Sequence, residues 1–451
     1  MADASAPIGW QALGDWRSAG PELQALADGL VAAGVDGDRP AAALWVPGRV
    51  ELLGKHTDYA GGRSLVGAID RGLLLLATPR SDSTVRWRDL GRGVEIEFDV
   101  ANPGRRPGHW SNYVLTPARR VASDFEAFSG GLDLAMTSSL PAAAGLSSSS
   151  ALLVAAYLVF EACDADPPVE ISERTRLAAY LGAVEGGAAF EGANAREGVG
   201  TFGGSEDHAA ILKGTAGEVM QCGFSPLRVE RQLAWPAGWQ LVIGVSGAHA
   251  KKTGDAKEAF NRLARDAAQA AAAFGRVTGT RVADLGAALE SAGTAADLER
   301  RVVAGSGPGE DAAALARRTR HFAVESGRLV SEAAQALASE SASALGRAAA
   351  ESQGNAEALL GNQIDETRAL VRLAIANGAP AASAFGAGFG GSVWALAPAT
   401  EVEEFRGRWR EAYTAAFPHH EASSLFFVTA PSQGAHWLPT EPDVYCKDFQ
   451  P

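Results

Sequence analysis

The stretch WVPGRVELLGKHTDYAGGRSLVGAID, residues 45–70, sets charged and polar side chains among apolar residues that favour β-strands. It contains Arg49, Glu51, Lys55, His56 and Asp58, and a pair of glycines follows them. Burying charged groups without partners is costly, so such side chains in an apolar segment are typical of a ligand site. Carboxylates and imidazoles can also move protons during a reaction. This stretch is the first candidate for chemistry.

A second candidate is LPAAAGLSSSSAL, residues 140–152. A glycine-containing loop that runs directly into a helix leaves backbone N–H groups unpaired at the helix start, and with the helix dipole they form an anion site. The four serines, residues 147–150, can cap the helix, donate to a phosphate or bind Mg²⁺. The Walker pattern GxxxxGK[ST] is absent. Taken alone, the segment also fits an ordinary capped helix.

A third candidate is GAPAASAFGAGFGGSVWAL, residues 378–396. Its closely spaced glycines predict an open turn in which backbone closely approaches a ligand or another chain segment. These glycines are Gly386, Gly388, Gly390 and Gly391. A tight strand-turn-helix packing junction is the alternative.

The elements that must position these motifs follow from length and periodicity. At 451 residues the chain exceeds what one hydrophobic core usually organises, which predicts two domains, of roughly 200 residues each. Strand and helix signals alternate up to about residue 230, and the segment from about 255 to 377 has helical spacing of apolar residues. We therefore predict an α+β protein with domains at 1–230 and 231–451.

Charge and cysteine usage exclude several classes of function. The formal charge of −13 argues against a nucleic-acid partner and an anionic membrane surface. The cysteines, Cys163, Cys222 and Cys446, are far apart, and no histidine has metal-ligand spacing, which argues against a disulfide framework and a structural zinc site. No leader pattern or apolar run of about 18 residues is present, so we expect a cytoplasmic protein.

In this order, the three motifs resemble those of the GHMP kinase superfamily, and most closely those of the galactokinases. Two further stretches are similar to galactokinase segments: GGSEDHAAILKGTAGEVMQCGFSPL and SGAHAKKTGDAKEAFNRLARD. The resemblance implies a two-domain GHMP kinase fold. Its N-terminal domain would be like domain 2 of ribosomal protein S5, its C-terminal domain would be ferredoxin-like, and the active site would lie in the cleft between them.

The resemblance assigns the reacting groups first. Asp207 matches the catalytic aspartate, which would accept the proton of a sugar hydroxyl as that hydroxyl attacks the γ-phosphorus of ATP. Arg49 matches the arginine beside it, which would keep the carboxylate ionised and face the transferring phosphoryl group. Glu206, the neighbour of Asp207, would face solvent or lie behind the site.

Four residues match the sugar-facing positions of the family. His56 and Asp58 have the family identities, and a short acid suits two adjacent hydroxyls. Lys55 replaces an acid and Phe260 replaces a tyrosine, while Glu51 stands where the family has an asparagine. A lysine near C6 of the sugar would suit a uronic acid such as galacturonate. Alternatively, Lys55 points to solvent or neutralises Glu51 and the substrate is a neutral sugar.

The resemblance also implies two cofactors, ATP and Mg²⁺. The phosphates would contact the loop before the second motif's helix, and two aromatic residues would flank adenine. The predicted nucleotide-binding residues are Gly145, Ser147, Ser148, Ser149, Trp110 and Tyr113.

Ser148 and Glu185 are the predicted Mg²⁺ ligands. The segment between Glu185 and the catalytic aspartate is longer than in typical galactokinases. Glu191 or Glu197 therefore remains an alternative ligand.

Together these residues predict an ATP-dependent sugar 1-kinase that phosphorylates the anomeric hydroxyl of galactose or a close relative. One alternative is a GHMP kinase for another small alcohol, either mevalonate-like or an amino alcohol, or for a uronic acid. Another is a non-catalytic sensor of sugar and ATP. The expected partner is a small sugar, and the expected state is a monomer or a small homo-oligomer.

Overall fold

The computed structural model describes residues 20–438, except residues 40, 107, 125–129, 143, 163–172, 192–194 and 249–252. Cys163 and Cys446 lie outside the described residues, whereas Cys222 is a buried free thiol. Within the described part of the chain, no helix combines the length and apolar character that a bilayer span requires.

The first half of the chain builds an eight-stranded sheet, which the strand near the end of the described chain completes. Its strands are β1 Ala42–Leu53, β2 Arg63–Arg80, β3 Thr84–Asp89, β4 Val94–Asp99, β5 Gly131–Ser138, β6 Glu218–Phe224, β7 Leu227–Ala234 and β12 His436–Trp437. The main path runs β12-β1-β2-β5-β3-β4, and β6 pairs with both β2 and β7. Only the β3–β5 pairing is parallel among these described strands.

The first candidate motif forms the hairpin between β1 and β2. Both strands are buried along most of their length, which explains their near-continuous apolar sequence. A 3₁₀ turn, Asp58–Ala60, lies in the connection. The Thr57 hydroxyl is 2.8 Å from the Gly54 carbonyl and 2.7 Å from the Arg63 carbonyl, and these bonds close the connection into a rigid loop.

Five helices accompany this sheet among the described residues: α1 Pro21–Ala32, α2 Asn112–Asp124, α3 Ser148–Ala162, α4 Arg174–Gly186 and α5 Glu206–Lys213. Helix α3 is buried along nearly its whole length, as its all-round apolar sequence requires. Its first residue belongs to the serine run of the second motif. The helix therefore anchors that loop rigidly in the core.

The second half contains a helical layer and a smaller sheet. The layer comprises α6 Thr253–Thr278, α7 Leu285–Ala292, α8 Ala295–Gly305, α9 Ala312–Val324, α10 Val330–Ala338 and α11 Ala342–Asn355, with π-helical segments at Glu325–Leu329 and Ala356–Leu360. The antiparallel sheet has the order β11-β8-β10-β9 and comprises β8 Trp239–Val245, β9 Ala382–Ala384, β10 Ser392–Pro398 and β11 Leu425–Thr429. Helices α12 Asp365–Ala376 and α13 Val402–Ala416 contribute to its core. The predicted α+β class is confirmed.

Buried hydrogen bonds join the two halves. The Trp394 indole of β10 donates to the Leu52 carbonyl of β1 at 3.1 Å. The fully buried carboxylate of Glu325 accepts from the Gly54 N–H at 2.9 Å and from the Lys55 N–H at 3.3 Å. Because Glu325 opens a π-helical segment of the second half, these bonds fasten the β1–β2 loop to the helical layer.

We expect Glu325→Ala to lower the free energy of unfolding by about 2 to 5 kcal/mol, because it leaves buried donors unpaired. Urea denaturation followed by circular dichroism measures the loss. Glu332→Ala is the control, because the Glu332 side chain is 50% exposed in an ion pair with Arg328, and this change should cost less than about 1 kcal/mol. Equal stability of the two variants would show that the Glu325 bonds do not hold the loop.

Candidate active site

A cleft of about 560 Å³ brings the three motifs together. The β1–β2 loop, the start of α3, the start of α5 and the glycine-rich turn after β9 all contribute side chains or backbone to its walls. Residues from both halves of the chain line it, so the cleft depends on the packing of one half against the other.

Arg49 and Asp207 form an ion pair in this cleft. The Arg49 Nε is 2.7 Å from Asp207 Oδ1, and the arginine side chain is 6% exposed whereas that of the aspartate is 29% exposed. Burial raises the pKa of the Asp207 carboxyl, but the charge of the adjacent Arg49 guanidinium and the hydrogen bonds to the carboxylate together outweigh burial and hold this pKa below its usual value. Asp207 is therefore an ionised carboxylate that the cleft can reach.

Asp207 lies in the first turn of α5, where a carboxylate is favoured by the helix dipole. The turn is reached through Gly203 and Gly204, and a Cβ on Gly204 would lie 2.5 Å from Asp58 Oδ2. A glycine is thus required where the chain passes the β1–β2 loop. Asp58 itself lines the cleft and accepts a hydrogen bond from the Glu206 N–H at 3.4 Å.

The same arginine holds the second motif. Arg49 donates through Nη1 to the Gly145 carbonyl, and the Arg49 N–H donates to the Leu146 carbonyl at 3.3 Å. Gly145 has φ +74°, and a Cβ there would lie 3.6 Å from the Phe385 carbonyl oxygen in the glycine-rich turn. The second and third motifs therefore meet at a position that favours glycine.

The predicted phosphate loop faces the cleft. Gly145, Ser147, Ser148 and Ser149 all line it, and Ser148 begins α3. Tyr113 is also part of the lining. The structure does not bring Trp110 into the cleft. The indole is partly buried against the main core and its ring lies 5.5 Å from that of His109.

Among the three glutamates considered for Mg²⁺, the structure brings only Glu185 into the cleft. The Ser150 hydroxyl lies 3.0 Å from Glu185 Oε2 and 3.3 Å from Asp207 Oδ2. Glu191 pairs with Arg176 on the surface, and Glu197 pairs with Arg105 on the surface.

His56 lies in the cleft wall with both ring nitrogens engaged by protein. Nε2 is 3.0 Å from the Ala387 carbonyl, which can only accept, so Nε2 carries the proton and Nδ1 accepts from the Tyr59 hydroxyl at 2.7 Å. Burial, with the charge of Arg318, lowers the pKa of His56 to about 3, so the ring is neutral. The geometry makes His56 a support of the cleft wall.

Phe260 packs against this support. Its ring lies 5.2 Å from the His56 ring and 5.8 Å from the Tyr59 ring, and all three residues line the cleft. The predicted sugar-facing position 260 therefore presents an aromatic face without a hydrogen-bonding group.

The Lys55 side chain does not lie at the predicted sugar-facing position, because the structure places it outside the cleft. The side chain is fully buried, and Nζ donates to the Ser352 hydroxyl at 2.7 Å and to the Ser383 hydroxyl at 2.9 Å. The ammonium points away from the cleft because a buried polar pocket behind the β1–β2 loop satisfies it. It faces neither solvent nor the C6 end of a sugar in the cleft.

Two further carboxyls surround Arg49. Glu206 is 4% exposed and its Oε1 is 3.9 Å from Arg49 Nε, so it lies behind the site and does not face solvent. Burial and the charge of Glu51 raise the pKa of Glu206 well above its usual value. Burial also raises the pKa of Glu51 to about 7, although Lys55 and Arg49 oppose this shift.

The sequence did not predict one residue that lines the cleft, His208, and one buried neighbour of His56, Asn362. His208 Nε2 lies 3.1 Å from Glu185 Oε2. The Asn362 carbonyl accepts the Phe389 N–H at 2.6 Å, and the Asn362 amide nitrogen is 3.3 Å from His56 Nε2. His208 could have been predicted as a site residue because it directly follows Asp207 in the sequence. No sequence pattern marks Asn362.

Comparison with known proteins agrees with this geometry. The chain matches three family models: the galactokinase galactose-binding signature at residues 36–79, the N-terminal domain of GHMP kinases at 112–195 and the C-terminal GHMP kinase domain at 333–415. It is 38% identical over 113 residues to galactokinases of Actinobacillus pleuropneumoniae serotype 5b (strain L20) and serotype 3 (strain JL03). Each match covers 25% of this chain and 29% of the relative's length.

Two solved structures share the fold. The galactokinase of Lactococcus lactis complexed with galactose superposes with a TM-score of 0.76 and 24% identity, covering 92% of this chain and all of that chain. The mevalonate kinase of Methanococcus jannaschii has a TM-score of 0.52 and 13% identity, covering 88% and 100%. The predicted two-domain GHMP kinase fold is confirmed. The chain thus matches the galactose-binding signature of galactokinases together with the N-terminal and C-terminal domain models of GHMP kinases.

Proposed function

We propose that this protein is an ATP-dependent sugar 1-kinase that transfers the γ-phosphoryl group of ATP to the anomeric hydroxyl of galactose or a close relative. The observation that carries the proposal is the Arg49–Asp207 pair at 2.7 Å. This pair lies between the loop of the galactose-binding signature and the glycine-serine loop that precedes α3. A base is therefore available where a sugar hydroxyl and a phosphate would meet.

In the proposed reaction, the Asp207 carboxylate accepts the proton of the attacking hydroxyl. The low pKa of this group keeps it ionised, and its 29% exposure lets a substrate reach it. Arg49 fixes the carboxylate and places positive charge near the oxygens of the transferring phosphoryl group, where negative charge is concentrated. Asp58 accepts hydrogen bonds from sugar hydroxyls, and Phe260 packs against the sugar ring.

The nucleotide phosphates would be bound by the N–H groups and hydroxyls of Gly145, Ser147, Ser148 and Ser149, with Tyr113 beside them. The donor set fits Mg²⁺, because Ser148 and Glu185 supply oxygen ligands in the cleft wall. When bound, Mg²⁺ would neutralise charge on the β- and γ-phosphates. The Ser150 hydroxyl lies within hydrogen-bond distance of both Glu185 and Asp207 and can donate its single proton to either carboxylate.

The cleft favours a neutral sugar over a uronic acid. The Lys55 ammonium is satisfied by two serines behind the cleft, so it is not available to a C6 carboxylate. The wall instead presents the carboxyl groups of Glu51 and Asp58, neither of which can supply a positive charge to that group. The likeness to a mevalonate kinase structure extends to the fold, whereas the galactose-binding signature supports a sugar. A sensor would not need the paired base, so catalysis is the stronger proposal.

We expect a coupled ADP-release assay on a sugar panel to give turnover with galactose or a related neutral sugar. Galactose should exceed galacturonate in kcat/KM by about tenfold or more, because one repelled or unpaired buried charge costs at least about 1.4 kcal/mol. Mevalonate and homoserine serve as the non-sugar controls. Turnover with one of these alcohols and none with sugars would contradict the proposed function, and a preference for galacturonate would contradict the account of Lys55.

Asp207→Asn should lower kcat by about a hundredfold or more while ATP still binds, because the amide keeps the shape but cannot accept the proton. The ADP-release assay measures the loss, and calorimetry checks nucleotide binding. Asp297→Asn is the matched control. Asp297 also lies in the first turn of a helix, α8, and also accepts from an arginine, Arg301 Nε, at 2.7 Å. Equal activity of both variants would remove Asp207 from the chemistry.

Gly145→Val should raise the KM for ATP by about tenfold or more, because the branched side chain would occupy the space where phosphates meet the loop. Gly309→Val controls for backbone strain alone, since Gly309 has φ +86° and nothing lies within 4 Å of an added Cβ. An unchanged KM in a folded Gly145→Val protein would place the nucleotide elsewhere.

A further inference from the structure

Three potential metal ligands meet on the surface of the second half, among residues that the cleft does not use. Glu366 lies in the first turn of α12. His419 and His420 belong to a 3₁₀ turn, Pro418–His420, that follows α13. One ligand atom from each of the three side chains lies within 4.8 Å of the other two.

The distances suit a bound ion better than they suit a direct hydrogen bond. His420 Nε2 is 3.4 Å from Glu366 Oε1, which is long for a charge-assisted bond. Two ligand atoms at about 2.0 to 2.1 Å from a tetrahedral Zn²⁺ lie about 3.4 Å apart. His420 Nε2 and Glu366 Oε1 therefore already have the separation of two ligand atoms in a tetrahedral zinc site. A small rotation of the exposed His419 ring would complete the third position.

The surroundings orient both rings. The Ser423 hydroxyl lies 3.4 Å from His420 Nδ1, which leaves Nε2 directed at Glu366. The two imidazoles have ring centroids 4.2 Å apart, and the Phe417 ring lies 6.0 Å from His419 and 6.4 Å from His420. A hydrogen bond to the nitrogen that does not face the metal is the usual device that fixes a histidine ligand.

We propose that Glu366, His419 and His420 form a binding site for a divalent transition-metal ion of the zinc class, with water as the remaining ligand. Two imidazoles and one carboxylate select such an ion over Mg²⁺ or Ca²⁺, which take oxygen ligands. The ion would join the start of α12 to the connection between α13 and β11 and thereby stabilise the second half. The site lies outside the cleft and does not depend on the proposed kinase activity.

The expectation from sequence was that no structural zinc site is present. That expectation considered ligands at short spacing, whereas Glu366 is 54 residues before His420 and only the fold brings them together. Linear spacing therefore could not indicate the proposed site.

The test is a titration of the full-length, chelator-treated protein with Zn²⁺ by calorimetry, without nucleotide or Mg²⁺, together with Co²⁺ binding followed by its visible absorbance. Wild type should bind one Zn²⁺ ion at this site, give a tetrahedral Co²⁺ spectrum and gain thermal stability with Zn²⁺. His420→Ala and Glu366→Gln should each weaken binding by about tenfold or more and abolish the thermal shift. The side chains of His420 and Glu366 are 15% and 21% exposed, and circular dichroism checks that the variants fold.

Two variants serve as matched controls. His436→Ala removes a partly exposed histidine in β12, and Glu411→Gln removes an exposed acid of α13. Both should bind Zn²⁺ as wild type does. Absence of saturable Zn²⁺ binding in wild type would overturn the proposal. So would undiminished binding in His420→Ala, which would assign the ion to other groups, such as Glu185 and His208 in the cleft.

Discussion

The guanidinium of Arg49 is the group through which the cleft is assembled. It binds Asp207 at the start of α5 and the Gly145 carbonyl before α3, so one side chain sets the distance between a carboxylate and the glycine-serine loop. Its own position follows from an irregularity in β1, whose register with β2 shifts between Pro47 and Arg49. A bulge of this kind turns a strand side chain away from the regular alternation. The bulge in the buried strand β1 thus determines where the Arg49 guanidinium lies.

Concentrating carboxyls around one cation has an electrostatic consequence. Glu51, Glu206 and Asp207 all lie close to Arg49, which cannot neutralise three negative charges in a buried place. The protein resolves this by keeping Asp207 ionised, since it contacts the guanidinium directly, while the pKa values of Glu51 and Glu206 rise. One carboxylate therefore remains the strongest charge at the cleft, which is the arrangement that a single base requires.

The motifs could be predicted from sequence because backbone geometry encodes them locally. A glycine-serine loop that runs into an apolar helix exposes backbone N–H groups at the helix start, and the β1–β2 loop carries its polar residues in one short segment. The direction of Lys55 could not be predicted in this way. Its partners, Ser352 and Ser383, are 297 and 328 residues away, so only the packing of the two halves decides where the ammonium goes. Asn362 was not predicted for the same reason, since its neighbour His56 is 306 residues away in the sequence.

The position of Lys55 also changes how its neighbour is understood. By resemblance, galactokinases have an asparagine at position 51 and an acid at position 55, and this chain has Glu51 and Lys55 instead. The cation is drawn behind the loop, where its charge opposes the rise in the Glu51 pKa, and the Glu51 carboxyl accepts from the Gly386 N–H at 3.3 Å in the cleft wall. The cleft wall thus keeps a carboxyl group, at position 51 in β1, four residues before position 55. The two substitutions are coupled electrostatically, because the buried ammonium of Lys55 favours the charged form of the Glu51 carboxyl against the effect of burial.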